Sequence, residues 1–186
     1  MKIPVGVSNR HVHLTRESVD ILFGKDYNLT KRNDLTQPGQ FACEETLTIK
    51  TDKSQINKVR VLGPIRNYDQ VEISKTDAYA LGLNPPVRNS GDVKNSEVVT
   101  LIGPKGEIKI EGCIIASRHI HITEEQAKEL NFKEDQIVSV KVDSIKGGIL
   151  NDVHIKILKE AYFELHLDTD DANAHFLKQN DYVDII

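Results

Sequence analysis

The sequence predicts a mainly β protein built from two related halves, and three observations carry that reading. Short runs that alternate apolar and polar residues fill most of the chain. Turn signals separate them at Gly63-Pro64, Pro85-Pro86, Gly103-Pro104, Lys105-Gly106, Gly147-Gly148 and Asn151-Asp152. The pattern Arg-His-apolar-His-apolar-Thr is written twice, as "SNRHVHLT" at 8–15 and "ASRHIHIT" at 116–123.

"ETLTIKT" (45–51) alternates as a half-buried strand should, and "KVRVLG", "QVEIS", "EVVTLIG", "EIKIEGCIIAS", "IVSVKVD", "VHIKI", "YFELHLD" and "YVDII" follow suit. Many short strands with frequent turns suit a barrel or a sandwich. Helical patterns are few and short, over 15–24, 75–82, 124–131 and 169–178. "LGLNPPVRNSGDVKNS" (81–96) has no period and reads as a long loop.

Aligned on the short helices, one module recurs four times: "HLTRESVDILF" from His13, "EISKTDAYALG" from Glu72, "HITEEQAKELN" from His121 and "HLDTDDANAHF" from His166. The third positions, Thr15, Ser74, Thr123 and Asp168, are good helix N-caps, and Gln126 completes a capping box with Thr123. Five residues past the first position stand Ser18, Asp77, Gln126 and Asp171, followed by Val19, Ala78, Ala127 and Ala172. The unit is strand, cap, short helix. His13, Glu72, His121 and His166 therefore occupy equivalent strand ends, paired His13 with Glu72 and His121 with His166. The halves are expected at 1–110 and 111–186, with strands open to exchange between them.

Residues i and i+2 of a strand share a face, roughly 6.5 Å apart. His11 and His13 thus face one way, as do His119 and His121. Two imidazoles on one rigid face, with a third ligand from a neighbouring strand, make the open three-ligand arrangement of catalytic zinc. The repeat nominates Glu72 as the third ligand in one half and His166 in the other. Of the seven histidines, only His154 and His175 fall outside these positions, and they read as structural or surface residues. A single His-x-His arises often by chance. Two in matching contexts, each with a nominated partner, are a stronger signal.

Composition excludes other classes. The net charge of −4 calls for neither nucleic acid nor an anionic membrane surface. No apolar run is long enough to span a bilayer, and "MKIPVGVSNR" lacks the apolar region of a signal peptide. Cys43 and Cys113 stand alone, which points to a reducing cytoplasm. Strand edges and the long loop are compatible with a homodimer. Arg10 and Arg118 precede the histidine pairs, where a salt bridge to a neighbouring strand and anion binding are equally good readings. Arg66, in "GPIRNYDQVEIS", and Arg88 with Ser90, in "PPVRNSGD", lie in stretches that look like site loops. Taken alone, each arginine reads as a solvated surface charge.

Together "GVSNRHVHLT", "LTQPGQFACEE", "VLGPIRNYDQVEIS", "PPVRNSGD", "ASRHIHIT" and "LHLDTDDANA" resemble the PduL-type phosphate acyltransferases, the phosphate propanoyltransferases, over essentially the whole chain. The resemblance implies two similar antiparallel β-barrel domains with short α-helices, related by a pseudo-twofold duplication, and a dinuclear zinc site between them. It implies transfer of a short acyl group, acetyl or propanoyl, between coenzyme A and inorganic phosphate. His11, His13 and Glu72 would hold one zinc, and His119, His121 and His166 the other. Arg66 corresponds to the family's phosphate-binding arginine, and Ser90 lies where the family contacts coenzyme A, with Arg88 beside it. Family members packaged in microcompartments carry an N-terminal amphipathic extension. Here "MKIP" leads straight into the first motif, which favours a free cytoplasmic enzyme. Two other classes suit the same residues: a zinc hydrolase or hydratase, and a non-enzymatic metal-binding β-barrel protein.

Overall fold

A computed structural model describes residues 1–186. The first part of the chain forms β1 (Lys2–Ser8), β2 (His11–His13), α1 (Arg16–Phe23), β3 (Lys31–Asp34), β4 (Phe41–Lys50), β5 (Gln55–Gly63), β6 (Gln70–Glu72) and α2 (Lys75–Leu81). The rest forms β7 (Val87–Arg88), β8 (Glu97–Ile102), β9 (Glu107–Ala116), β10 (His119–Thr123), α3 (Glu124–Glu129), β11 (Ile137–Val142), β12 (Gly148–Leu158), β13 (Glu164–Asp168), α4 (Thr169–Ala174) and β14 (Tyr182–Ile185). These elements group into two compact units, Met1–Asn9 with Ser117–Ile186, and Arg10–Ala116. None of the helices is long and apolar enough to cross a membrane.

In the Arg10–Ala116 unit the pairings run β4-β5-β2-β6-β9-β8 and back to β4, so six strands close a ring. β3 and β7 add to it, on β4 and β9. In the other unit the closed order is β1-β13-β10-β12-β11-β14. The two rings share their pairing senses. Each His-x-His strand runs parallel to one neighbour, β5 or β12, and antiparallel to the other, β6 or β13. β1 holds in its ring the place that β9 holds in the other. It is parallel to the strand of the nominated third ligand and antiparallel to β14, as β9 is to β8. Ring closure satisfies the backbone donors and acceptors that an open sheet would leave on its edges. This is the mainly β, two-barrel architecture that the resemblance implies.

Three strands escape the alternation read from the sequence. β1 carries Pro4, which cannot donate to a ladder, and Gly6, and both weaken the local signal. β3, "KRND", is exposed along its whole length and has no apolar face to alternate. β7 is a two-residue strand inside the expected loop at 81–96, held by Ile115 and Ala116 of β9.

All four helices start as expected. Thr15, Ser74, Thr123 and Asp168 each accept a hydrogen bond from the backbone N–H three residues on. Capping boxes form at Gln126 and also at Asp77. The last three helices end alike. Leu83, Phe132 and Leu177 donate their N–H groups to the carbonyls of Ala78, Ala127 and Ala172, at 2.9, 2.8 and 2.8 Å. This closing bond needs a left-handed residue just before it, supplied by Gly82, Asn131 and Phe176 at φ 72°, 56° and 54°. The turn at Phe176 stops α4 at Ala174, short of the 178 that the periodicity suggests.

Each unit has its own apolar core. One includes Val12, Val61, Val71 and Leu101, and the other includes Val5, Ile120, Ile155 and Leu165. Val12 and Ile120, both 0 % exposed, each lie between two histidines and root that strand in its core. Replacing Ile120 by Ala should lower unfolding free energy by about 2–5 kcal/mol through lost burial and an unfilled cavity. Urea denaturation of the two proteins measures this directly.

Candidate functional site

Residues directly opposite in an antiparallel pair share a face. β2 and β6 pair with His11 opposite Glu72 and His13 opposite Gln70. β10 and β13 pair in the same register, His119 opposite His166 and His121 opposite Glu164. Each His-x-His strand therefore meets its nominated third residue across one rung of ladder. Two donor sets result, His11-His13-Glu72 and His119-His121-His166, and within each set the candidate ligand atoms all lie within 4.8 Å of one another.

The first set lies in the Arg10–Ala116 unit and is largely buried, with His11 8 % and His13 3 % exposed. His11 Nε2 stands 3.4 Å from Glu72 Oε2. That is the spacing of two donors each about 2.1 Å from one tetrahedral ion. The His13 Nδ1 is buried without a hydrogen-bond partner of good geometry. Burial first, then the charges of His11 and Arg66, lower the His13 pKa to about 3. His13 is accordingly neutral near pH 7, the form that binds a metal. Imidazole with one carboxylate is a donor set that suits zinc.

The second set belongs to the other unit. Its three rings lie with centroids 4.6, 4.7 and 5.1 Å apart. His119 Nδ1 is 2.8 Å from the Ser117 carbonyl. A carbonyl only accepts, so Nδ1 carries the proton and Nε2 of the neutral ring is the nitrogen able to ligate. His166 Nε2 lies 2.8 Å from Oε2 of Glu164, a carboxylate with no exposed side-chain surface.

The network behind the first set runs through residues whose parts the sequence leaves open. Gln70 Nε2 donates to Glu72 Oε1 at 2.6 Å and to Ser90 Oγ at 2.9 Å, while Gly91 N–H donates to Gln70 Oε1 at 2.7 Å. Arg66 Nη1 donates to the Tyr68 hydroxyl at 2.6 Å and reaches Ser90 Oγ at 3.5 Å. Arg66 and Ser90 thus join the first donor set. Arg88 pairs instead with Asp92 of its own loop, at 2.8 Å, and has no hydrogen bond to Arg66, Gln70 or Ser90. The strand entry is also pinned. Asp69 accepts from Thr15 N–H and Ser18 Oγ, both at 2.7 Å. Its carbonyl packs where a side chain on Gly112 would sit, 2.6 Å from the Cβ position. His154 and His175 join neither set.

Arg10 and Arg118 form matching forks. Arg10 binds Asp77 through Nε and Nη2 at 2.8 and 2.7 Å, and Arg118 binds Asp171 through the same two atoms at 2.7 Å each. The partner is the third residue of the helix that follows the nominated third ligand, where a neighbouring strand was one expectation. Each fork ties the entrance of a His-x-His strand to the helix behind Glu72 or His166. Nothing in the sequence by itself marks Tyr68 or these two aspartates as site residues. Gln70 and Glu164 did carry a signal, because each stands two residues before a nominated ligand and so shares its face.

Comparison with known proteins gives one family. The family model described as phosphate propanoyltransferase matches residues 4–178. A phosphate propanoyltransferase of Thermotoga maritima is 49 % identical over 186 residues, 99 % of this chain and 89 % of the relative. That of Priestia megaterium is 50 % identical over 180 residues, covering 96 % and 83 %. That of Rhodopseudomonas palustris is 43 % identical over 185 residues, covering 99 % and 82 %.

Two outcomes are expected from this geometry. Arg10→Met leaves Asp77, 5 % exposed, without its fork, and should cost about 1–2 kcal/mol in chemical denaturation after allowance for the partly exposed guanidinium. The metal-free chain should also lose stability in acid. Unfolded His13 takes up a proton near pH 6.5, whereas folded His13 resists it down to about 3. The contribution is whole above pH 6.5 and falls as pH drops toward 3, by about 2 kcal/mol at pH 5. Denaturation of wild type and His13→Gln across that window tests it, since the variant lacks this slope.

Proposed function

The chain belongs to the phosphate propanoyltransferase family, and from that premise we propose that it exchanges a short acyl group, propanoyl or acetyl, between coenzyme A and inorganic phosphate with two bound zinc ions. The observation that carries the reading is the first donor set, His11, His13 and Glu72, joined through Gln70 to Ser90 and flanked by Arg66. His119, His121 and His166 would hold the second ion. We take the enzyme as cytoplasmic, in keeping with its two free thiols.

Toward acyl phosphate, a phosphate oxygen attacks the thioester carbonyl carbon. The C–O bond forms as the C–S bond breaks, and coenzyme A leaves as a thiolate that then takes a proton. Zinc held by His11, His13 and Glu72 would supply Lewis acidity to the thioester. Arg66 holds the phosphate through its planar fork, aimed by the Tyr68 hydroxyl that accepts one of its N–H groups. Ser90 positions coenzyme A, and Arg88, half-exposed beside Asp92, supports its anionic part. Most of the rate advantage then comes from orientation and charge stabilisation.

Direct transfer suits the cysteines. Both are buried, and burial pushes the Cys43 thiol up to about 11 and the Cys113 thiol up to about 12. Neither forms a thiolate near pH 7, so neither serves as an acyl-accepting nucleophile.

Thiol release from propanoyl-coenzyme A, measured with and without phosphate, tests the reaction. Release should require phosphate; release without it would mean hydrolysis. His121→Ala should lose zinc and activity together, and activity that survives with less metal would refute the role of the metal. Arg66→Ala should raise the KM for phosphate roughly ten- to a hundredfold, the worth of a charged hydrogen bond.

A further inference from the structure

We infer that Gln70 and Glu164 are matched positioning residues, a buried amide behind the carboxylate ligand of one metal site and a buried carboxylate behind an imidazole ligand of the other. The inference rests on the metal reading above. Both residues are 0 % exposed. Each stands two residues before the third ligand on the same strand face, and each lies opposite the second histidine of its His-x-His pair, His13 or His121.

Their chemistry is opposite, as their neighbours require. Glu72 is a carboxylate and accepts, so the residue behind it must donate. Gln70 does so through Nε2 at 2.6 Å. Its amide is turned that way by the Gly91 N–H, which donates to Oε1 at 2.7 Å and claims the acceptor end. His166 is an imidazole whose N–H donates, so the residue behind it must accept. Glu164 does so through Oε2 at 2.8 Å. Its other oxygen takes Gln179 Nε2 at 3.4 Å, and Gln179 is oriented in turn by the Val7 N–H at 2.8 Å.

The seat of Glu164 is built for it. β1 runs beside β13 with Gly6 opposite His166. A Cβ on Gly6 would stand 2.7 Å from the Glu164 carboxyl carbon, so any side chain there would push the carboxylate out of its present position. Burying a carboxylate is costly without compensation. A cation held by His119, His121 and His166 would supply that compensation one imidazole away. Each site then owns one carboxylate, as a ligand in one unit and behind a ligand in the other. Two unlike ligand sets thereby present the same formal charge to a divalent ion. A carboxylate against a ligating imidazole also fixes its tilt and raises its basicity. Gln70 has a further duty. By bonding Glu72 and Ser90 together, it makes the ligand and the Ser90–Gly91 loop one rigid piece.

Near-isosteric variants test this in the full-length chain, with Co2+ as the probe. Glu164→Gln and Gln70→Met are each placed in two one-site backgrounds, Glu72→Ala and His166→Ala. Affinity is read by chelator competition and coordination by the visible Co2+ absorption. Glu164→Gln should weaken Co2+ binding roughly ten- to a hundredfold in the Glu72→Ala background and shift its visible band. It should leave the His166→Ala background within about twofold. Gln70→Met should show the reverse pattern. Parental affinities and spectra in all four chains would overturn the inference, and so would equal weakening in both backgrounds, which marks a general packing effect. A wild-type chain that takes up no Co2+ would overturn the metal reading itself, and this inference with it.

Discussion

One rung of antiparallel ladder in each unit governs the rest. A pair of facing residues cannot be reassigned without moving a whole strand, because a slip of one residue turns every side chain to the other face. With His11 set against Glu72 and His119 against His166, the strands bring three donors to one place in each unit. Ring closure holds that register. Each strand of the pair is hydrogen-bonded on its other side as well, β2 to β5 and β6 to β9, β10 to β12 and β13 to β1.

Holding buried histidines and carboxylates in place is expensive, and the surrounding residues show how the cost is met. Apolar neighbours such as Val12, Val71, Ile120 and Leu165 turn to the core from between the polar residues of the same strands. The forks from Arg10 and Arg118 clamp each His-x-His strand to the helix that follows Glu72 or His166. N-caps at Ser74 and Asp168 begin those helices two residues beyond Glu72 and His166. Glu72 and His166 therefore each lie between a ladder on one side and a capped, clamped helix on the other.

The units differ where chemistry would differ. The unit of Arg10–Ala116 has a carboxylate among its donors, a His13 whose proton affinity is lowered by burial first and then by His11 and Arg66, and a polar loop joined through Ser90. The other has three imidazoles and a carboxylate behind one of them. The two rings are equivalent frames in their pairing, and a few side chains within them make the surroundings unlike.

Much of this was legible in the chain itself, because the signals are local. Period-two alternation marks most strands, cap residues mark all four helix starts, and the fourfold module singles out Glu72 and His166 as partners of the histidine pairs. Local patterns are readable because face alternation and capping depend only on residues a few positions apart. Other features depended on partners far away in sequence. β1 pairs with residues 165–168 and 182–184, Arg10 finds Asp77, and Glu164 is buried because Gly6 leaves room for it. In the sequence alone, alternation puts Glu164 on the face of His166 but does not show that it is buried, and the position of Arg10 before the histidine pair does not show which carboxylate it meets. By itself, then, the sequence determined which side chains share a strand face and which residues begin each helix. The tertiary structure alone decided the register across strands, since pairing energy is shared among many distant hydrogen bonds and no short stretch encodes it.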